Sequence, residues 1–129
     1  MNISSGLLAL GFLFATTPGH AASVAERQDA SVIEHLKDAG SDLSKPHNID
    51  FFFYFPDQAS ANAAAIDLRT LGYRIVGIAP TSDESAWHLK ALRSMVPELA
   101  AMNQSTRELN ALAARHGGEY DGWGTSVVD

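Results

Sequence analysis

Ile49-Asp50-Phe51-Phe52-Phe53-Tyr54-Phe55-Pro56-Asp57 is an almost unbroken aromatic run closed by a proline and a potential helix cap. A short run of this kind predicts a strand buried on both faces or nearly so, ended by Pro56. Asp50 and Pro56 flank it as gatekeepers against aggregation. Asp57 can accept hydrogen bonds from the free backbone N–H groups of a following helix. Ala61, Ala64, Ala65, Leu68 and Leu71 then recur at helical spacing, and the alanines permit close approach to a sheet. Gly72 stops that helix.

Outward from this pair the pattern continues. Tyr73 to Ile78 is β-branched and aromatic, a second strand, and Pro80 to Glu84 is a turn. From Ala86 to Met95, Trp87, Leu89, Ala91, Arg93 and Met95 alternate with His88, Lys90, Leu92 and Ser94. Such alternation fits a half-exposed strand, although composition alone does not exclude a helix. Pro97 suits a first helical position, with Glu98 favourably placed against the helix dipole. Leu99, Met102, Thr106, Leu109, Leu112 and Ala113 make the buried stripe of a long helix ending at Gly117-Gly118, and Glu119 to Val128 is a final strand. Upstream, Ala25, Val32, Ile33, Leu36 and Ala39 mark the buried side of a helix whose other side carries Glu26, Arg27, Glu34 and Lys37. Gly40 stops it, and a polar connection runs through Pro46. After this first helix the order is βαββαβ. Four strands with two helices on one face make the ferredoxin-like α+β sandwich, which right-handed crossovers favour.

The chain has 129 residues, one domain by length, with 46% hydrophobic and 19% charged residues. Its net charge is −6, and Arg69, Arg74, Lys90, Arg93, Arg107 and Arg115 are scattered singly. An acidic chain without a basic cluster is a poor match for a phosphate backbone, so no direct nucleic-acid partner is expected. The absence of cysteine removes disulfides and thiolate chemistry and leaves the redox compartment open. At the N-terminus, Leu7 to Ala15 is an apolar run followed by small residues through Ala21-Ala22, the shape of a secretory leader cleaved after Ala21. It is too short for a stable membrane span. Residues 1–21 are therefore expected to be a signal peptide, with the domain at 22–129 and a periplasmic or secreted location. The alternative is an upstream extension, from a misplaced start codon, on a cytoplasmic domain.

Chemistry finds little purchase. His35, His47, His88 and His116 show no H-x-x-x-H or related pairing, so no metal site is expected and each is better read as a hydrogen-bonded or solvated side chain. Asp83-Glu84 near Ser85 and His88 lacks a G-x-S-x-G elbow, and polar neighbours in a hairpin turn are ordinary. No glycine-rich phosphate loop is present. The expectation is a non-enzyme with no catalytic residues and no cofactor. Exposed aromatics on such a sheet can stack RNA bases, but alternate rings must be core and the basic complement is missing.

The closing run Gly118-Glu119-Tyr120-Asp121-Gly122-Trp123-Gly124-Thr125 is different. Two glycines in one short strand indicate a bulge, a bend or a close backbone approach. Trp123 beside Asp121 has the composition of a binding hot spot, and equally that of a core edge with a locally bonded acid. Tyr120, Asp121, Gly122, Trp123 and Gly124 are the candidate partner-binding residues.

This run resembles the C-terminal signature of the regulator-of-ribonuclease-E family, the RraB inhibitor type. Leu36 to Asp42 is similar to the end of that family's first helix. Ile49 to Phe55 and Leu68 to Val76, with Leu71-Gly72-Tyr73, match its first strand, helix and second strand in order. The likeness covers about Val32 to Val127 and does not include the acidic C-terminal tail of the family's named member. The resemblance implies a ferredoxin-like sandwich and a non-catalytic protein that binds ribonuclease E and restrains RNA cleavage. It supplies no catalytic residues. An exported domain of the same fold, binding another partner or self-associating, is the alternative.

Overall fold

The computed structural model describes residues 23–129; the expected leader lies outside them. The elements run α1 (Val24–Asp38), β1 (His47–Phe55), α2 (Gln58–Thr70), β2 (Arg74–Pro80), β3 (Trp87–Met95), α3 (Leu99–Arg115) and β4 (Glu119–Gly124). The strands form one antiparallel sheet in the order β2-β3-β1-β4. This is the ferredoxin-like arrangement, preceded by a helix.

The alternation in β1 decides which side is filled. Ile49, Phe51, Phe53 and Phe55 are fully buried with Leu89 and Ala91 of β3 and with Ala61, Ala64, Ala65, Leu68, Met102, Leu109 and Leu112 of the helices. Phe51 meets Tyr73 edge-on at 5.1 Å between ring centroids, and Arg93 lies 5.1 Å above the same Tyr73 ring. The other face is uncovered: Phe52 is half-buried and Tyr54 is 37% exposed. The expectation of a strand buried on both faces therefore fails for a topological reason. Both crossover helices of a right-handed βαββαβ chain lie on the same side of the sheet.

Local chemistry sets the boundaries. Ser23 accepts from the Glu26 N–H at 3.1 Å and Asp57 from the Ser60 N–H at 2.8 Å, the two side-chain N-caps. At α3 the first helical bond runs from the Met102 N–H to the Glu98 carbonyl. Glu98 is thus the cap, and Pro97 is a buried residue just outside the helix, not its first member. Leu71 and Leu99 also leave the stripes expected of them; both lie at helix ends and are exposed.

The last strand is shorter than expected and stops at Gly124. Beyond it Thr125 donates its hydroxyl to the Asn48 carbonyl, and the tail turns back onto the α1–β1 loop. There the Asp42 N–H donates to the Val128 carbonyl at 2.7 Å and the Val128 N–H donates to the Ser41 hydroxyl at 2.9 Å. These loop bonds replace a strand ladder for residues 125–128.

The turn into β4 requires close approach. A Cβ on Gly118 would collide with the Phe55 ring and with the Tyr54 carbonyl oxygen. Because one of those obstacles is backbone, Gly118→Ala is expected to destabilise the fold by about 1–3 kcal/mol, as overpacking does. A urea midpoint unchanged from the parent would contradict this.

Candidate protein-binding site

The inner face of α1 is the part of the fold least like its sequence pattern. Glu26, Asp29 and Leu36 are its buried residues, with Val32 and Ile33 half-buried, while Ala39 is exposed at the C-cap. The buried stripe is thus rotated toward two carboxylates. Asp29, only 3% exposed, accepts from the Thr106 hydroxyl with both oxygens, at 2.9 and 2.7 Å, and from the Trp123 indole N–H at 2.8 Å. Glu26 pairs with Arg107 at 3.3 Å. One turn of α1 is therefore tied to one turn of α3 and to β4 by polar bonds.

Burial raises the ionisation of Asp29 above the ordinary carboxylate value. The bonds from Thr106 and Trp123 oppose that shift, and the nearby Glu26 charge adds to it. The Tyr120 phenol lies within the field of this group, and burial followed by repulsion from Asp29 pushes its ionisation upward. Tyr120 also packs against Phe53 at 5.2 Å.

The two glycines of the closing run explain how Tyr120 and Trp123 reach the same place. Residues three apart on a regular strand point to opposite faces. Here Phe51 pairs with Trp123, Phe52 with Gly122 and Phe53 with Tyr120, so Asp121 is an extra residue and the register shifts between Phe52 and Phe53. Gly122 takes φ +103°, a left-handed backbone at the bulge that favours glycine. The bulge turns Tyr120 and Trp123 toward the helices together and leaves Asp121 exposed. Gly124 runs past the Phe52 ring.

Between this bulge and α1 opens a cleft of about 360 Å³, walled by Tyr120, Asp121, Gly122 and Trp123 on one side and by Gln28, Asp29, Val32 and His35 on the other. Four of the five residues singled out in the sequence line it. Trp123 and Tyr120 enter as largely buried walls and Asp121 as an exposed rim. The α1 residues were not anticipated. Their signal was present: the helical spacing of Leu36, Ile33 and Val32 extends back through Asp29 to Glu26, and Thr106-Arg107 supplies the complement on α3.

The other candidate groups resolve into local structure. Asp83 accepts from the hydroxyls of Thr81 and Ser85 and from the Ser85 N–H, and these bonds lower its ionisation to about 2. His88 lies against the Phe52 and Tyr54 rings. His116 bonds Asp67 at 2.7 Å. His47 is fully buried, its Nδ1 2.8 Å from the Lys45 carbonyl and its Nε2 2.6 Å from the Ser41 hydroxyl. The carbonyl can only accept, which makes Nδ1 a donor; in the neutral ring Nε2 then accepts from the Ser41 hydroxyl. Among the described residues no group of three or more His, Asp or Glu side chains is disposed to hold a metal ion.

Comparison with known proteins bears on the whole described domain. The chain is 27% identical over 100 residues to the Regulator of ribonuclease activity B of Pseudoalteromonas atlantica, covering 75% of this chain and 86% of that protein. It is 29% identical over 102 residues to the protein of that name from Xenorhabdus nematophila, covering 77% and 72% respectively. With the one from Actinobacillus succinogenes the identity is 28% over 107 residues, covering 81% and 75%. A family model described as Regulator of ribonuclease activity B matches residues 26–125, which include every strand and all the helical residues except Val24 and Ala25. The chain belongs to the regulator of ribonuclease activity B family.

Proposed function

We propose that this chain is a non-catalytic regulator that acts by binding a ribonuclease of the E type, using the cleft between α1 and β4. The observation that carries the proposal is the family match over residues 26–125, whose relatives are named for regulating ribonuclease activity. The cleft supports a binding mode of this kind. Its floor is held by the Asp29 bonds to Thr106 and Trp123, and its rim offers Asp121, an exposed acid on a glycine-shaped bulge. A preformed pocket edged by a few polar groups is suited to receive a side chain of a partner with little reorganisation. The acting unit is taken as residues 22–129, and the net charge of −6 favours a protein partner over RNA itself. The relatives give no support to the alternative of an exported domain with another partner.

The test is retention of a purified E-type ribonuclease on the immobilised full chain at low salt. Retention is expected, weakened severalfold by Asp121→Asn, with RNA cleavage by the retained enzyme slowed. A ribonuclease that passes straight through would refute the proposal. So would one whose retention is indifferent to Asp121 and to a bulky substitution at Gln28, as far as the cleft is concerned.

A further inference from the structure

We infer that the open face of the sheet carries an arginine receptor, centred on Tyr54 and Glu119, that takes an arginine side chain from a basic segment of the protein partner. The inference rests on the protein-partner reading and adds a contact on a different face. Register alone lays out the surface. One row across the sheet is Ala79, His88, Tyr54 and Glu119; the next is Gly77, Lys90, Phe52 and Gly122. The two edge strands thus contribute small residues, apart from Glu119, and the two central strands contribute the rings of His88, Tyr54 and Phe52 together with Lys90. His88 lies 5.9 Å from Phe52 at an interplanar angle of 23° and 5.1 Å from Tyr54. The result is an aromatic strip with low shoulders, in which the Tyr54 ring is tilted by 50° from His88.

At its Tyr54 end the strip runs into a groove of about 240 Å³, lined by Tyr54, Phe55, Pro56, Gly117, Gly118 and Glu119. The crowding that excludes a side chain from Gly118 brings this wall close against Phe55. Glu119 stands directly across from Tyr54, is exposed, and has no ion pair among the described residues. No Lys or Arg lines the groove, and the cation nearest along the strip, Lys90, is already 3.9 Å from Asp50. A ring face beside an unpaired carboxylate matches the two demands of a guanidinium: a π surface to lie on and an acceptor for its planar fork of N–H donors. A lysine ammonium lacks the plane. A nucleobase would bring phosphate toward Glu119, so the electrostatics oppose it.

The experiment is a titration of the ¹⁵N-labelled full chain with an acetylated Gly-Arg-Gly-Arg-Gly amide, its lysine counterpart and a short oligouridylate. The arginine peptide is expected to shift the amides of Tyr54, His88 and Glu119 and to bind roughly fivefold more tightly than the lysine peptide. Glu119→Gln and Tyr54→Ala should each weaken it by about fivefold. Glu119 is a surface residue, so the Gln variant reports on binding even if Tyr54→Ala lowers the melting temperature. Equal binding of the two peptides, indifference to Glu119→Gln, or larger shifts of the same amides with oligouridylate would each overturn the receptor. Ribonuclease retention is read separately. Retention without peptide binding removes the receptor alone, and peptide binding without retention removes the ribonuclease reading alone.

Discussion

Trp123→Ala is expected to lower stability by about 3–5 kcal/mol, the range for removing a large buried aromatic. Trp123 is 7% exposed, pairs across from Phe51, and donates its indole N–H to Asp29. The substitution removes packing area, opens a void next to the cleft, and withdraws one of the donors that make a buried carboxylate tolerable. Against a typical domain stability of about 5–15 kcal/mol, such a loss leaves the chain marginal at best. Loss of partner binding by this variant would then say nothing about direct contact. Trp123→Phe separates the two roles. It keeps most of the ring and drops the donor, and it should cost about 1.5–3 kcal/mol, the range for one hydrogen bond to a charged group. If Trp123→Phe stays folded and retains the ribonuclease as the parent does, Trp123 shapes the cleft from beneath. If it is folded and retention falls tenfold, the indole itself meets the partner. Chemical denaturation alongside column retention distinguishes these outcomes.

The elements that sequence reading located best are those with one dominant local cause. Asp57 at the head of α2, the alternation through β3 and the aromatic β1 each depend on a single periodicity or cap. Two of its misplacements have a different origin: long-range polar bonds outvoted local pattern. Glu26 and Asp29 look like the solvent side of α1 until Thr106, Arg107 and Trp123 are brought opposite them from distant parts of the chain. Residues 125–128 look like a continuing strand until Ser41 and Asp42 claim Val128. The site was legible in the same partial way. A glycine pair around a tryptophan announced a bulge, but that the bulge would put Tyr120 and Trp123 on one face, over Asp29, depends on the register with β1. Phe52 and Tyr54 were legible as strand residues. Their exposure follows from the topology and not from their own composition.

Asp29→Ala is expected to cost about 2–3 kcal/mol, because it leaves the Trp123 N–H and the Thr106 hydroxyl, both on buried residues, without their acceptor. Asp29→Asn should cost about 1 kcal/mol or less, since its amide oxygen can still accept from Trp123 while the charge that burial penalises is gone. The sign of the pH dependence separates these effects. Burial raises the folded-state ionisation of Asp29 above its ordinary 3.8. Between the two values the folded state holds a proton that the unfolded chain has released. Stability from this group is therefore full below the ordinary value and is lost as pH rises through the folded one. Asp42, Asp57 and Asp83 are shifted the other way by hydrogen bonds, and they stabilise above their ordinary value and lose that effect on acidification. The parent alone would mix the two, so the comparison is made between urea midpoints of parent and Asp29→Asn across this range. The Asn variant should gain on the parent as pH rises from 3.8 and then hold a constant difference. A gap that moves in the opposite direction would mean that the bonds from Thr106 and Trp123 outweigh burial, making the ionised carboxylate a net stabiliser of the α1–α3–β4 junction. In that event Asp29→Asn would be the more damaging change at neutral pH than at acid pH, and the cleft floor would depend on charge as well as on hydrogen-bond geometry.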